Sequence, residues 1–94
     1  MSGPISPSSV PAVSKGFRLQ WEEAQGCHVL LYPEGMVKLN GPAGEILKRC
    51  DGARSAAEII QDLERQFPGA EDLSDDVYQF LSTAHDNQWI RFAA

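Results

Sequence analysis

The sequence lacks most of what catalysis, export or nucleic-acid binding requires. It has no G-x-x-x-x-G-K-S/T phosphate loop, no G-x-G-x-x-G, no H-x-x-x-H and no G-x-S-x-G. No apolar run approaches the roughly 20 residues that span a bilayer. The opening MSGPISPSSVPAVSKGF has no apolar core of the signal-peptide kind. The expectation is a cytoplasmic protein with no membrane partner. Cys27 and Cys50 are the only cysteines, and they form no C-x-x-C pair. Without an export signal they read as reduced thiols, at least one of them buried.

Basic residues are also scarce. Eight Lys and Arg face thirteen Asp and Glu, a net charge of -5 that repels phosphate backbones. The shortage is sharpest from Gln66 to Ile90, which holds no Lys or Arg but has Glu71, Asp72, Asp75, Asp76 and Asp86. With 94 residues the chain makes one domain, near the lower size limit for a stable core. Such a chain more often binds than catalyses.

Periodicity supplies the elements. Residues Met1 to Lys15 carry Pro4, Pro7 and Pro11 among serines, and read as a flexible arm. Residues 16–94 form the domain. Phe17-Arg18-Leu19-Gln20-Trp21 alternates with period two, placing Phe17, Leu19 and Trp21 on the apolar face of a strand. His28 to Tyr32 is a more continuous apolar strand. Pro33-Glu34-Gly35 makes a tight turn, and Met36-Val37-Lys38-Leu39 returns, completing an antiparallel meander. The pattern then becomes helical. Asn40-Gly41-Pro42 opens a first helix to about Cys50, which Asp51-Gly52 ends. Ser55 and Glu58 form a capping box for a second helix to about Phe67. A third begins near Leu73, its stripe Val77, Phe80, Leu81 and Ala84 facing inward. Trp89 to Phe92 adds a short extended segment. The fold class is therefore α+β, a three-stranded antiparallel sheet followed by three helices, in the manner of a winged helix-turn-helix.

Three sets of residues invite a chemical reading. Cys27, His28, Cys50 and His85 are metal-ligand types, but neighbours on a strand point to opposite faces and the short-spaced pairs are missing. They read as packing or surface residues, and no metal is expected. Asp72, Asp75 and Asp76 sit where a helix dipole favours acids, a sufficient structural reason. The strand Met36 to Leu39 lies at a sheet edge, whose unpaired backbone groups can accept another chain. The bland alternative is an edge merely shielded by Lys38 or by the arm.

The stretch HVLLYPEGMVKLNGPAGEILKRCDG, with the later EII..L and DDV..FL, resembles the PqqD family. The PEG turn, the LN before the first helix, the EIL within it and the DG after it carry the resemblance, which spans about Phe17 to Trp89. It implies a recognition domain for ribosomally made, modified peptides, with no catalytic residue and no cofactor of its own. It implies two partners. One is the precursor peptide PqqA, held as an added strand beside the third strand and against the third helix. The other is PqqE, the radical S-adenosylmethionine enzyme of pyrroloquinoline quinone biosynthesis that modifies the peptide. Transferred to this sequence, the peptide contacts are Met36, Val37, Lys38 and Leu39 on the strand, with Asp76, Tyr78, Gln79 and Ala84 on the third helix. The rival for this topology is a winged-helix DNA-binding regulator, which the acidic third helix disfavours. A small metal-dependent enzyme is the third reading. A free edge and an apolar arm are also compatible with a homodimer.

Overall fold

Eight elements follow one another in the computed structural model, which describes residues 5–93. Alternation in the first half of the chain becomes a three-stranded antiparallel sheet of β2 (Arg18–Glu22), β3 (Cys27–Tyr32) and β4 (Gly35–Lys38), in the order β2-β3-β4. β3 is central: Val29 and Leu30 are both completely buried, which accounts for its continuous apolar run. The Pro33–Glu34 turn sets the register, with Tyr32 opposite Gly35 and Leu30 opposite Val37.

The helices are α1 (Gly41–Lys48), α2 (Ala56–Gln66) and α3 (Leu73–Asp86). Asn40 caps α1, its side-chain oxygen accepting from the Ala43 amide at 2.8 Å, with proline in the first turn. Ser55 and Glu58 close the capping box of α2 reciprocally. α1 ends at Lys48, earlier than Asp51-Gly52 suggested. Gly52 instead takes a left-handed φ of 78° while its amide donates to Pro11 O. One core unites Leu30 of the central strand, Ile46, Leu47, Ile59, Leu63, Val77 and Leu81 of the three helices, and Ile90 near the C-terminus. Burial of each such side chain stabilises the fold by roughly 1.5–3 kcal/mol.

Two expectations need correction. Trp21, read as facing the core, is 52% exposed. It lies opposite His28 and packs on that ring edge-on, with centroids 5.0 Å apart, at the margin of the sheet. The division into a flexible arm, residues 1–15, and a domain, residues 16–94, does not match the packing. Residues 1–4, including Pro4, lie outside the described residues. Pro11–Val13, however, form a strand, β1, paired antiparallel with β5 (Ile90–Phe92) as a second, two-stranded sheet. Pro11 is fully buried, and Ile5 and Val13 pack on the core. The carbonyls of Ser9 and Pro7 accept the amides of Ala56 and Ala57, at 2.8 and 3.0 Å. Those are the first two amides of α2, which have no partner inside the helix. The Pro/Ser composition concealed this, because the ordering entropy is offset by backbone bonds to a distant element.

Candidate functional site

β4 has a neighbour on one side only. The Leu39 amide donates to His28 O at 3.0 Å. In an antiparallel pair, bonded positions alternate, so Val37 and Gly35 also turn their backbone groups toward β3. The amides and carbonyls of Met36 and Lys38 therefore face outward, along an edge that no other strand of the described residues covers.

Beside this edge lies a groove of about 420 Å³. Val37, Lys38 and Leu39 form one wall, and Asp76, Gln79, Phe80 and Thr83 of α3 the other. Phe80 and Trp89 pack together, centroids 6.4 Å apart, and both contribute to the lining. The groove is apolar at its base, and Lys38, Asp76 and Gln79 are exposed around it. A second, more apolar cavity of about 470 Å³ opens where α1, the end of α2 and the start of α3 meet. It shares Pro42, Ile46 and Asp76 with the groove.

Helical geometry explains which side chains reach the groove. Asp76, Gln79, Phe80 and Thr83 are spaced three, four and seven apart and share a face. Val77, Leu81 and Ala84 form the adjacent face and are completely buried. Asp75 and Asp76 in the first turn offset the positive helix end. Asp72 begins the helix in a left-handed conformation, φ 54°, and makes no side-chain cap bond.

The sequence-predicted residues divide accordingly. Val37, Lys38, Leu39, Asp76 and Gln79 are brought together. Leu39 lines the base of the groove but is only 5% exposed, so most of its side chain belongs to the core. Met36 is 48% exposed and lies on the edge, outside the groove lining. Two positions on α3 lie outside the groove lining. Ala84 is completely buried in the core stripe, and Tyr78 is turned about 200° from Asp76 around the helix. Phe80, Thr83, Trp89, Pro42 and Ile46 line the groove too, although the sequence reading does not single them out as contacts. Periodicity gave the signal for the first two, since Asp76 predicts partners three, four and seven residues on.

The groups with displaced pKa values lie outside the groove. Arg49, almost fully buried, donates to Glu45 at 2.8 Å and to Asp62. Its hydrogen bonds hold both carboxyls below their ordinary range. Burial pushes the Cys50 thiol up to about 12, and Sγ donates to Ile46 O. Cys27, His28, Cys50 and His85 are not assembled. His28 packs on Trp21, His85 on Phe92, and Cys50 is in the core. Among the described residues no group of three or more His, Cys, Asp or Glu is placed to hold a metal. No helix among them is long and apolar enough to cross a membrane.

Comparison with known proteins converges on one family. The family model described as coenzyme PQQ synthesis protein D (PqqD) matches residues 27–90. A PqqA binding protein of Pseudomonas aeruginosa is 54% identical over 85 residues, 90% of this chain and 92% of its own length. One from Azotobacter vinelandii is 51% identical over 83 residues, covering 88% and 90%. The solution structure of the PqqD truncation of Methylobacterium extorquens PqqCD, described as a stand-alone recognition element for ribosomally synthesized and post-translationally modified peptides, superposes with a TM-score of 0.78. It is 28% identical and covers 93% of this chain and 94% of its own. The crystal structure of PqqD from Xanthomonas campestris gives a TM-score of 0.56 at 36% identity, covering 93% and 98%.

Proposed function

The chain belongs to the PqqD family, and from that premise we propose that it is a peptide chaperone that binds the precursor peptide PqqA in pyrroloquinoline quinone biosynthesis. The observation that carries the reading is the open β4 edge, with the outward backbone groups of Met36 and Lys38 beside the α3 groove. A guest strand gains up to four backbone hydrogen bonds there, each worth about 1 kcal/mol net. Alternate guest side chains enter between Val37 and Phe80. Gln79 and Asp76 offer polar contacts at the rim. Of the eight positions inferred from the family, Met36, Val37, Lys38, Leu39, Asp76 and Gln79 are retained as contacts. Ala84 and Tyr78 give way to Phe80 and Thr83.

The role we propose is non-catalytic. The groove lining consists of binding groups and contains no His or Cys. The chain holds the peptide for the radical S-adenosylmethionine enzyme PqqE, in the cytoplasm. Binding to both at once raises the local concentration of peptide at the enzyme. The same edge suits a second copy of the chain, so peptide and self-association compete for it. The DNA-binding reading is disfavoured by the absence of any Lys or Arg from α3. The test is a backbone NMR titration with the PqqA peptide of the P. aeruginosa relative. The Met36 and Lys38 amides should shift on saturation. Unchanged amides along β4 would overturn the proposal.

A further inference from the structure

The apolar cavity at the junction of the three helices is not needed to add a strand to β4, yet it opens into the same groove. We propose that this cavity is an anchor subsite that takes one bulky aliphatic or aromatic side chain of the bound peptide, with a basic residue beside it. The proposal rests on the strand-addition reading above.

Three observations carry it. The first is continuity, since Pro42, Ile46 and Asp76 line both spaces. The backbone from Lys38 to Pro42 covers four residue steps, at most about 13 Å of extended chain. A guest paired at Lys38 therefore reaches the cavity with a side chain about three to five positions further along. The second is shape and chemistry. At about 470 Å³ the cavity lies within the range of ligand pockets, roughly 300–1,000 Å³. Its floor is the near-buried pair Ile46 and Leu63, and Phe67 stands at the mouth with 44% of its surface exposed. A covering side chain removes that apolar surface from water. The third is charge. Glu45 is engaged by Arg49, whereas Glu71 and Asp76, which also line the cavity, have no ion-pair partner among the described residues. A Lys or Arg next to the anchor meets those two carboxylates.

The experiment uses the full chain and the P. aeruginosa PqqA peptide, together with peptides in which each bulky apolar residue is replaced by alanine. Ala70→Trp fills the cavity from an exposed position, and Glu71→Lys reverses the rim charge while leaving the floor alone. In the wild type, saturation should shift the methyls of Leu63, which lines the cavity and not the groove, as well as the Met36 and Lys38 amides. Ala70→Trp should weaken binding about ten- to a hundred-fold, and Glu71→Lys by a few-fold. One alanine peptide should lose the same factor against the wild type and nothing further against Ala70→Trp. If β4 shifts but the methyls stay still and both variants bind normally, the anchor is refuted and strand addition stands. If the methyls shift and β4 does not, strand addition fails and the anchor with it. Were Phe67 and Ala70 signals to move with protein concentration alone, the cavity would serve self-association and the proposal would be overturned.

Discussion

His28 and Gly44 touch so closely that a Cβ built on Gly44 would stand 2.5 Å from His28 Nδ1 and 3.0 Å from its Cγ. The contact joins β3 to α1, and so fixes the helix whose first turn borders both the groove and the cavity. Relief is not available from a rotating side-chain tip, because the ring carbon and the His28 Cβ, at 3.1 Å, are also too near. Gly44→Ala should therefore destabilise the protein by about 1–3 kcal/mol through overpacking, lowering Tm by roughly 5–20 °C. Thermal unfolding measures this. The double variant His28→Ala with Gly44→Ala should recover part of the loss.

The Arg49 cluster predicts a pH dependence. Hydrogen bonds from Arg49 lower the pKa values of Glu45 and Asp62 from 4.5 and 3.8. The unfolded chain therefore holds more protons than the folded one near pH 4, and stability rises with pH there. The contribution is complete above those ordinary values and disappears as pH falls through the lower folded-state ones. Urea midpoints should drop between pH 5 and pH 2, and the slope should be shallower in Asp62→Asn. An equal slope would mean that the Arg49 bonds do not hold Asp62 in solution.

The N-terminal segment yields a third prediction. Ser9 and Pro7 accept the amides of Ala56 and Ala57 at the start of α2. Removing residues 1–9 returns these amides to water and takes Ile5 off the core. Stability should fall by about 1–3 kcal/mol. Hydrogen exchange at Ala56 and Ala57 should accelerate while the Leu30 amide remains protected.

The meander, the Pro33 turn, the two side-chain helix caps and the core stripes were all legible because local pattern determines them. Asn40, Ser55 and the series Val77, Leu81, Ala84 act within one or two helical turns. What the sequence hid depends on distant partners. Pro11 pairs across from Phe92, some eighty residues away, and nothing in PAV announces that. Trp21 looked inward because alternation names a face but not how far the covering helix extends. Ala84 belongs to the core stripe by periodicity and to the contacts that the family resemblance implies, and its complete burial agrees with the first. The edge strand was legible as an edge, but the outward direction of Met36 and Lys38 needed the Leu39–His28 bond.

That direction permits a sharp test of strand addition. Proline removes an amide donor and is tolerated in strands chiefly at edges, where that amide faces away from the sheet. Lys38 is such a position and Val37 is not, since Val37 bonds to Leu30 across the register. Lys38→Pro should leave the β3–β4 ladder and the fold intact while deleting a hydrogen bond to the guest and obstructing its approach. Affinity for the PqqA peptide should fall at least ten-fold, about 1.4 kcal/mol. Val37→Pro should instead lower Tm, because it breaks the ladder from within. Lys38→Ala controls for the charge and should change affinity by only a few-fold. Isothermal titration and thermal unfolding of the three variants separate these effects. Full-strength binding by a folded Lys38→Pro protein would show that the peptide does not use this edge.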